Sequence, residues 1–369
     1  MIARHILIPF HDFARGGTER VALTLASHWL DAGRAVTVLC GSRGGGTVEQ
    51  ADPRLSVVEL DPPLPRSLLS RFVLGPAMAA RLPSLAPDVA YIPGNFHFCV
   101  AHAFRKAMPR LPLVAKASNP LLPAFPGPLA ALRPLGRAVL GAYLAPLDAL
   151  VYMAPELAAV GRADLPAIAG EVIAEPNLPA GHAALPRRGP ENPPLILAIG
   201  RLEPQKNFAL ALAAFAALRR RRPARLAILG EGAQRGKLEA LAQRLGIADD
   251  VELPGYHTNI PALLAEASAL LLSSRYEGYP AVVVEALAAD VPVVATDCTP
   301  CLASLIDRPM RGEIVPPARP AVLADALDRA LDLPFSSQGE RQAGVAHHDA
   351  AASARAYLDL FDRLAAARG

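Results

Sequence analysis

The sequence predicts an α/β chain built from two doubly wound, Rossmann-like domains. Short apolar runs rich in Val, Ile and Leu alternate with helical patterns along most of the chain, the pattern of parallel βαβ sheets. One stretch without periodicity interrupts them, "NLPAGHAALPRRGPENPP" from Asn177 to Pro194, with the Pro, Gly and polar content of a linker. The chain has 369 residues, 52% of them hydrophobic, which is too long for one ordinary core and apolar enough for two. The expected boundaries are a first domain over residues 1–178, a linker over 179–194, a second domain over 195–345 and a closing helix over 346–369.

In the first half, "HILIPF", "AVTVLC", "LSVVEL", "DVAYIP", "LPLVAKAS", "DALVYM" and a short "GEVIAEP" read as strands. Between the first two, "TERVALTLASHWLDAG" is an amphipathic helix, with Thr18 as the expected N-cap and Gly33 closing it. After the linker the order is "LILAIG", a helix from about Asn207 to Arg221, "RLAILG", a helix near Ala233 to Leu245, and "DVELPG". A helix near Ile260 to Ala267, "ALLLSS", a helix from about Pro280 to Ala289, and "VPVVAT" follow. The last segment, "AASARAYLDLFDRLAAAR", is a helix with an apolar stripe. Such sheets bind ligands at the carboxyl ends of their strands, and the default site for two facing domains is the cleft between them.

No run of eighteen or more apolar residues lacks charge or proline, so no membrane span is expected. The opening "MIARHILIPFHDF" has no small-residue cleavage site and reads as a first strand rather than a signal peptide. Four scattered cysteines, Cys40, Cys99, Cys298 and Cys301, do not make a disulfide framework, so a reducing cytoplasm is the expected compartment. Net charge is only +3, but it is unevenly placed. From Pro62 to Leu147 stand nine Lys or Arg (Arg66, Arg71, Arg81, Arg105, Lys106, Arg110, Lys116, Arg133, Arg137) and one acid, Asp88. This is either a solvated basic surface or one that attracts an anionic partner: a membrane surface, a lipid pyrophosphate or an acidic glycan. No nucleic-acid partner is expected. Within that stretch "RSLLSRFVLGPAMAARL" is either an amphipathic helix at an interface or a helix packed on the core.

In the second domain "AIGRLEPQKN" follows a strand directly, with Gly200 turning the backbone and Arg201 and Lys206 at the strand end. Two cations five residues apart on one loop suit a diphosphate. Gly230 and Glu231, in "ILGEGAQRGKL", form a weak nucleotide-binding turn that is not G-x-G-x-x-G. "SSRYEGYPAVVVEALAAD" carries Glu277 on a loop and Glu285 inside the next helix, seven residues between them. Pro280 suits the first turn of that helix, so the N–H groups near Tyr279, Ala281 and Val282 are expected to face an anion. Two carboxylates flanking an anion site can accept hydrogen bonds from a sugar and a ribose; neither belongs in apolar surroundings without donors.

Gly200-Arg201 with Lys206-Asn207, then Glu277-Gly278-Tyr279-Pro280, then Glu285-Ala286 followed by "PVVATD", resembles glycosyltransferase family 4. The match is close from about Leu195 to Leu331; the first domain matches more loosely, through "GGTER" and "VIAEPN". The resemblance implies a GT-B fold whose C-terminal helix crosses back onto the first domain, and a retaining, metal-independent hexosyltransferase. It implies that Arg201 and Lys206 hold the donor diphosphate, Glu277 the transferred sugar and Glu285 the ribose, and that Gly16 and Gly17 let the backbone approach the donor phosphate or the acceptor. The absence of any D-x-D fits leaving-group stabilisation by Arg201, Lys206 and a helix end in place of a metal.

Two departures from the family stand out. Ser118 or Asn119 occupies the place of a histidine that many members carry, with His97 the nearby alternative for the acceptor. "CTPCLASLI" replaces a glycine-rich turn, with Ser304 near the place of its glutamate. Base choice is assigned to the surroundings of Gly230, Tyr256 and His257, with a UDP-sugar favoured over GDP-mannose. The expected activity is hexosyl transfer from a nucleotide diphosphate sugar to a glycan or lipid-linked acceptor in cell-surface polysaccharide biosynthesis. The expected location is the cytoplasm or the inner membrane face, with domain closure about the linker excluding water. Two alternatives stay open: a non-catalytic nucleotide-sugar-binding subunit, and a nucleotide-sugar epimerase on the same architecture.

Overall fold

A computed structural model describes residues 2–14, 16–67, 69–122, 131–178, 193–257, 259–316, 319–334 and 339–368. Residues 179–192 of the expected linker lie outside them. The chain divides into two compact units, Met1–Ala180 with His348–Gly369, and Gly181–His347.

In the first unit the strands are β1 (His5–Phe10), β2 (Ala35–Cys40), β3 (Ser56–Glu59), β4 (Val89–Ile92), β5 (Leu113–Lys116), β6 (Ala149–Tyr152) and β7 (Gly170–Val172). All pair in parallel, in the order β3-β2-β1-β4-β5-β6-β7. Their near-continuous apolar character follows from burial on both faces. Ile6, Ile8, Phe10, Val89 and Tyr91 point into one core layer, and the alternating Leu7, Leu39, Ala90 and Ile92 into the other.

The last helix, Ala350–Arg368, lies on the first of these layers. Trp29 donates through Nε1 to the Ala354 carbonyl at 3.1 Å and meets Tyr91, Tyr357 and Phe361 edge-on. Arg34 grips Asp362 with two hydrogen bonds of 2.8 and 2.9 Å. Residues far apart in the chain thus complete one core.

In the second unit the strands are β8 (Leu195–Ile199), β9 (Arg225–Leu229), β10 (Val251–Gly255), β11 (Ala269–Leu272), β12 (Val293–Thr296) and β13 (Gly312–Val315). Their order is β10-β9-β8-β11-β12-β13, again all parallel. The order reverses between β8 and β11, the switch point at whose strand ends such sheets bind ligands. In the first unit the corresponding switch lies between β1 and β4.

Several local expectations change. The first helix runs Gly17–Asp31 with Gly16 as its N-cap, so Thr18 is inside it. Pro280 is the N-cap of the helix Ala281–Ala288 rather than a residue of its first turn. Strand β13 and the helix Pro320–Leu331 are additional to the elements read from sequence. Lys116 is not a surface charge: it is 1% exposed and donates to Glu175 at 2.8 Å. The excess of positive charge between Pro62 and Leu147 is also trimmed by acids from outside it. Arg66 pairs with Asp12, Arg105 with Asp148, and both Arg133 and Arg137 with Asp164.

Candidate active site

The ends of β8 and β11 bring together Lys206 and Glu277, two of the charged residues that the sequence singles out in the second unit. Gly200 leaves β8 at φ +155, and a Cβ there would strike the aliphatic stem of Lys206 at 2.8 Å. The lysine therefore lies over the glycine and directs its ammonium across to the β11 loop. There Nζ meets Glu277 Oε1 at 2.6 Å. Ser274 donates to the same oxygen at 2.5 Å. Glu277 is 7% exposed, and these two donors meet the requirement that a buried carboxylate be paired.

The two loops are tied by backbone as well. Arg275 N–H donates to the Gln205 carbonyl at 2.8 Å, and Gln205 Nε2 to the Tyr276 carbonyl at 3.0 Å. Arg201 is exposed and has no acid partner among the described residues.

The loop after β12 supports this arrangement from behind. Glu277 N–H donates to the Cys298 carbonyl at 3.0 Å, and Thr299 Oγ1 to the Gly278 carbonyl at 3.1 Å. Thr296 Oγ1 donates to the Ser274 carbonyl at 2.6 Å. Burial pushes the Cys298 thiol up to about 12, with the Glu277 charge adding to it, so it stays a thiol. Ser304 is exposed on the short helix Leu302–Leu305 and donates to the Cys301 carbonyl.

The Gly-Glu-Gly turn after β9 has a packing reason for its glycines. A Cβ on Gly230, at φ +141, would lie 2.0 Å from the Gly200 carbonyl oxygen, and one on Gly232 would lie 2.6 Å from that of Leu202. Leu202 N–H donates to the Glu231 carbonyl at 2.9 Å. The Glu231 carboxylate turns to Arg235 at 2.6 Å, and that hydrogen bond holds it below the usual carboxylate range. Tyr256, just beyond β10, is 45% exposed, and His257 is half-buried.

At the helix Ala281–Ala288 one expected donor is already used. Ala281 N–H bonds to the Tyr279 carbonyl at 3.0 Å, and Val283 N–H to that of Pro280 at 2.9 Å. Ala281 and Val282 are half-buried, and Glu285 stands half-buried one turn further on.

The first unit has its own cluster at the β1/β4 switch. His97, expected on a surface loop facing the acceptor, is 1% exposed within the turn Asn95–Val100. Its Nε2 accepts the His11 N–H at 3.1 Å, and burial lowers its pKa to about 3, so it is neutral and holds backbone. Arg66 forks onto Asp12 at 2.7 and 2.8 Å. Burial raises the Asp12 carboxyl, but the Arg66 fork and charge, with the His11 and Ala14 hydrogen bonds, together outweigh it and the net shift is downward. Asn95 ties the β4 loop to the β5 loop. Its Oδ1 accepts from Ser118 N–H at 2.8 Å, and its Nδ2 donates to the Asn119 carbonyl at 3.1 Å. Ser118 is half-buried and Asn119 exposed. Gly16 is extended, and a Cβ there would lie 2.6 Å from Glu19 Oε2, whereas Gly17 has open space around it.

The profile described as "Glycosyl transferases group 1" matches residues 186–344, and that of "Glycosyltransferase Family 4" matches residues 15–164. The chain belongs to the group 1, family 4 glycosyltransferases. Among curated relatives, an alpha-D-kanosaminyltransferase of Streptomyces kanamyceticus is 33% identical over 171 residues, 45% of this chain and 44% of that protein. An N-acetylgalactosamine-N,N'-diacetylbacillosaminyl-diphospho-undecaprenol 4-alpha-N-acetylgalactosaminyltransferase of Campylobacter jejuni is 37% identical over 102 residues, 28% of this chain and 27% of that protein. The chain thus spans less than half the length of these relatives. Of solved structures, sucrose-phosphate synthase from Thermosynechococcus elongatus is 19% identical with a TM-score of 0.78, covering 99% of this chain and 100% of that one. The lipopolysaccharide outer core galactosyltransferase WaaB in its apo form is 16% identical with a TM-score of 0.69, over 96% and 98%. The fold is GT-B, two Rossmann-like α/β domains with parallel sheets.

In this chain the sequence picked out Lys206, Glu277 and the glycines that let the loops touch. It missed Ser274, Thr296 and Thr299, which fix Glu277, and Asn95, which fixes Ser118 and Asn119. The signal for the first group was present as hydroxyl residues at the carboxyl ends of apolar strands. Asn95 had no such mark. Among the described residues no helix is long and apolar enough to cross a membrane.

Proposed function

We propose that the protein is a retaining hexosyltransferase that takes its sugar from a nucleotide diphosphate sugar, UDP-linked in preference to GDP-linked, without a metal ion. Its acceptor is a glycan or a lipid-linked glycan of the cell surface. The carrying observation is the Lys206–Glu277 pair at the β8/β11 switch point, with the exposed, acid-free Arg201 on the same loop. An ammonium has three donors, and Glu277 takes one of them, leaving capacity for diphosphate oxygens. Arg201 supplies a planar fork to the same group. Together they stabilise the negative charge that builds on the leaving diphosphate, the task a metal would otherwise perform.

Glu277, fixed by Ser274, accepts from hydroxyls of the transferred sugar, and Glu285 accepts from the ribose. The acceptor hydroxyl attacks the face from which the diphosphate departs, and a donor phosphate oxygen takes its proton. The names of the relatives support glycosyl transfer as the class of chemistry, and one of them names a diphospho-undecaprenol-linked acceptor.

The test is a thermal-shift panel of UDP, GDP and their sugars with and without chelator, followed by transfer assays. Stabilisation by one base, unchanged by chelator, with transfer at retained configuration, is the expected result. A second reading has one observation behind it. Among the described residues 93–100 and 117–122, which follow β4 and β5, the one histidine is His97, and it is buried. Donor binding without turnover under any acceptor would establish that non-catalytic reading instead.

A further inference from the structure

Two helices of the first unit turn apolar stripes outward. In Ser70–Ala79 the buried face is Ser70, Leu74, Gly75, Met78 and Ala79. Just before and within it, Leu69 is 72% exposed, Phe72 71% and Val73 50%. In Arg133–Leu144 only Leu144 is buried. Leu132, Leu135, Val139 and Tyr143, spaced three, four and four apart, fall on one face and are 39–64% exposed.

Both helices flank the helix Ala101–Ala107. Gly75 sits so close to it that a Cβ would lie 3.3 Å from Ala103 Cβ, while His102 Nε2 lies 3.1 Å from the Ala142 carbonyl oxygen. The Arg71 charge is near enough to bear on the Tyr143 phenol, so the two stripes share one neighbourhood. Around them Arg71, Arg81, Lys106 and Arg110 are exposed without an acid partner among the described residues, and Arg133 and Arg137 share one carboxylate, Asp164.

We propose that this face docks on an anionic lipid bilayer, with the two stripes entering the headgroup boundary and the guanidinium groups meeting lipid phosphates. Outward apolar stripes on a water-facing surface call for a cover. Charge decides which cover. Neither helix carries an acid. A second copy of the chain would therefore set Arg71, Arg133 and Arg137 against their own kind, whereas an anionic surface answers all three. The inference deepens the reading of a lipid-linked acceptor by placing the enzyme where such an acceptor lies.

The experiment sediments the full chain with vesicles of phosphatidylcholine alone and of phosphatidylcholine containing phosphatidylglycerol. Preferential capture by the anionic vesicles, weakened by salt, is expected. Leu135→Glu with Val139→Glu, and separately Arg71→Glu, should each reduce it by about tenfold. Stabilisation of each variant by nucleotide diphosphate is read in parallel. Retained stabilisation shows the variant folded, and its presence or absence in the parent chain tests the donor site independently of the docking. Equal capture by both vesicle types, variants that sediment like the parent, or a dimer that the Leu135→Glu, Val139→Glu chain fails to form would overturn the proposal.

Discussion

Lys206 and Glu277 face each other across 2.6 Å from loops that leave neighbouring strands β8 and β11. Each compensates the other in the absence of ligand, with side chains 18% and 8% exposed. On the proposed reading, Lys206→Ala removes a diphosphate donor; it also strands the Glu277 carboxylate. Binding of the nucleotide diphosphate should weaken by about ten- to a hundredfold, as for loss of a charge-assisted hydrogen bond. Calorimetric titration measures this, and unchanged affinity would remove the lysine from the donor site.

Glu285→Gln tests the proposed ribose contact. The parent should discriminate UDP from 2′-deoxy-UDP, and the variant should bind the two about equally, because a site built to accept from a hydroxyl penalises its absence. Competition binding with the two nucleotides distinguishes the outcomes.

Lys116 and Glu175 form a buried pair at 2.8 Å in the first unit. Lys116→Met should cost about 3–5 kcal/mol by leaving an uncompensated carboxylate. Adding Glu175→Leu should recover a large part of it. Urea unfolding of the single and double variants measures both values, and a double variant no better than the single would count against ion burial as the cause.

Acid stability should depend on His97. Burial holds its folded pKa at about 3, below the ordinary histidine value of 6.5, so the unfolded chain binds a proton that the folded chain refuses. Stability is then whole above about pH 6.5 and falls as pH drops towards 3, by up to about 1.4 kcal/mol per pH unit for one proton. His11 is shifted down by burial too and adds to the same slope. His97→Gln should flatten the fall, as read by unfolding free energies from pH 7 to pH 4.

The sheets were legible because strands covered on both faces are apolar without interruption, as in Ile6 to Phe10 and Ala269 to Leu272. The edge strand β13 escaped notice because Gly312, Glu313 and Ile314 are only half-buried and its one fully buried residue is Val315. Strand order rests on pairing between segments remote in sequence, which no local pattern encodes. The cations Arg201 and Lys206 could be read from their loop, but whether a charge has a partner could not. Lys116 and His97 look like surface residues until Glu175 and the His11 amide are seen beside them. The Gly16 N-cap escaped for a similar reason, since Thr18 carries the hydroxyl usual for a cap and glycine carries none.

The helix Ala350–Arg368 completes a core begun at Ala3 and Ile6. During synthesis, all of the residues of the Gly181–His347 unit leave the ribosome before that helix does. The domain made first is therefore the one finished last. Until translation reaches Phe361, Trp29 and Tyr91 have each other but lack Tyr357 and Phe361, and the nascent chain carries an open apolar layer.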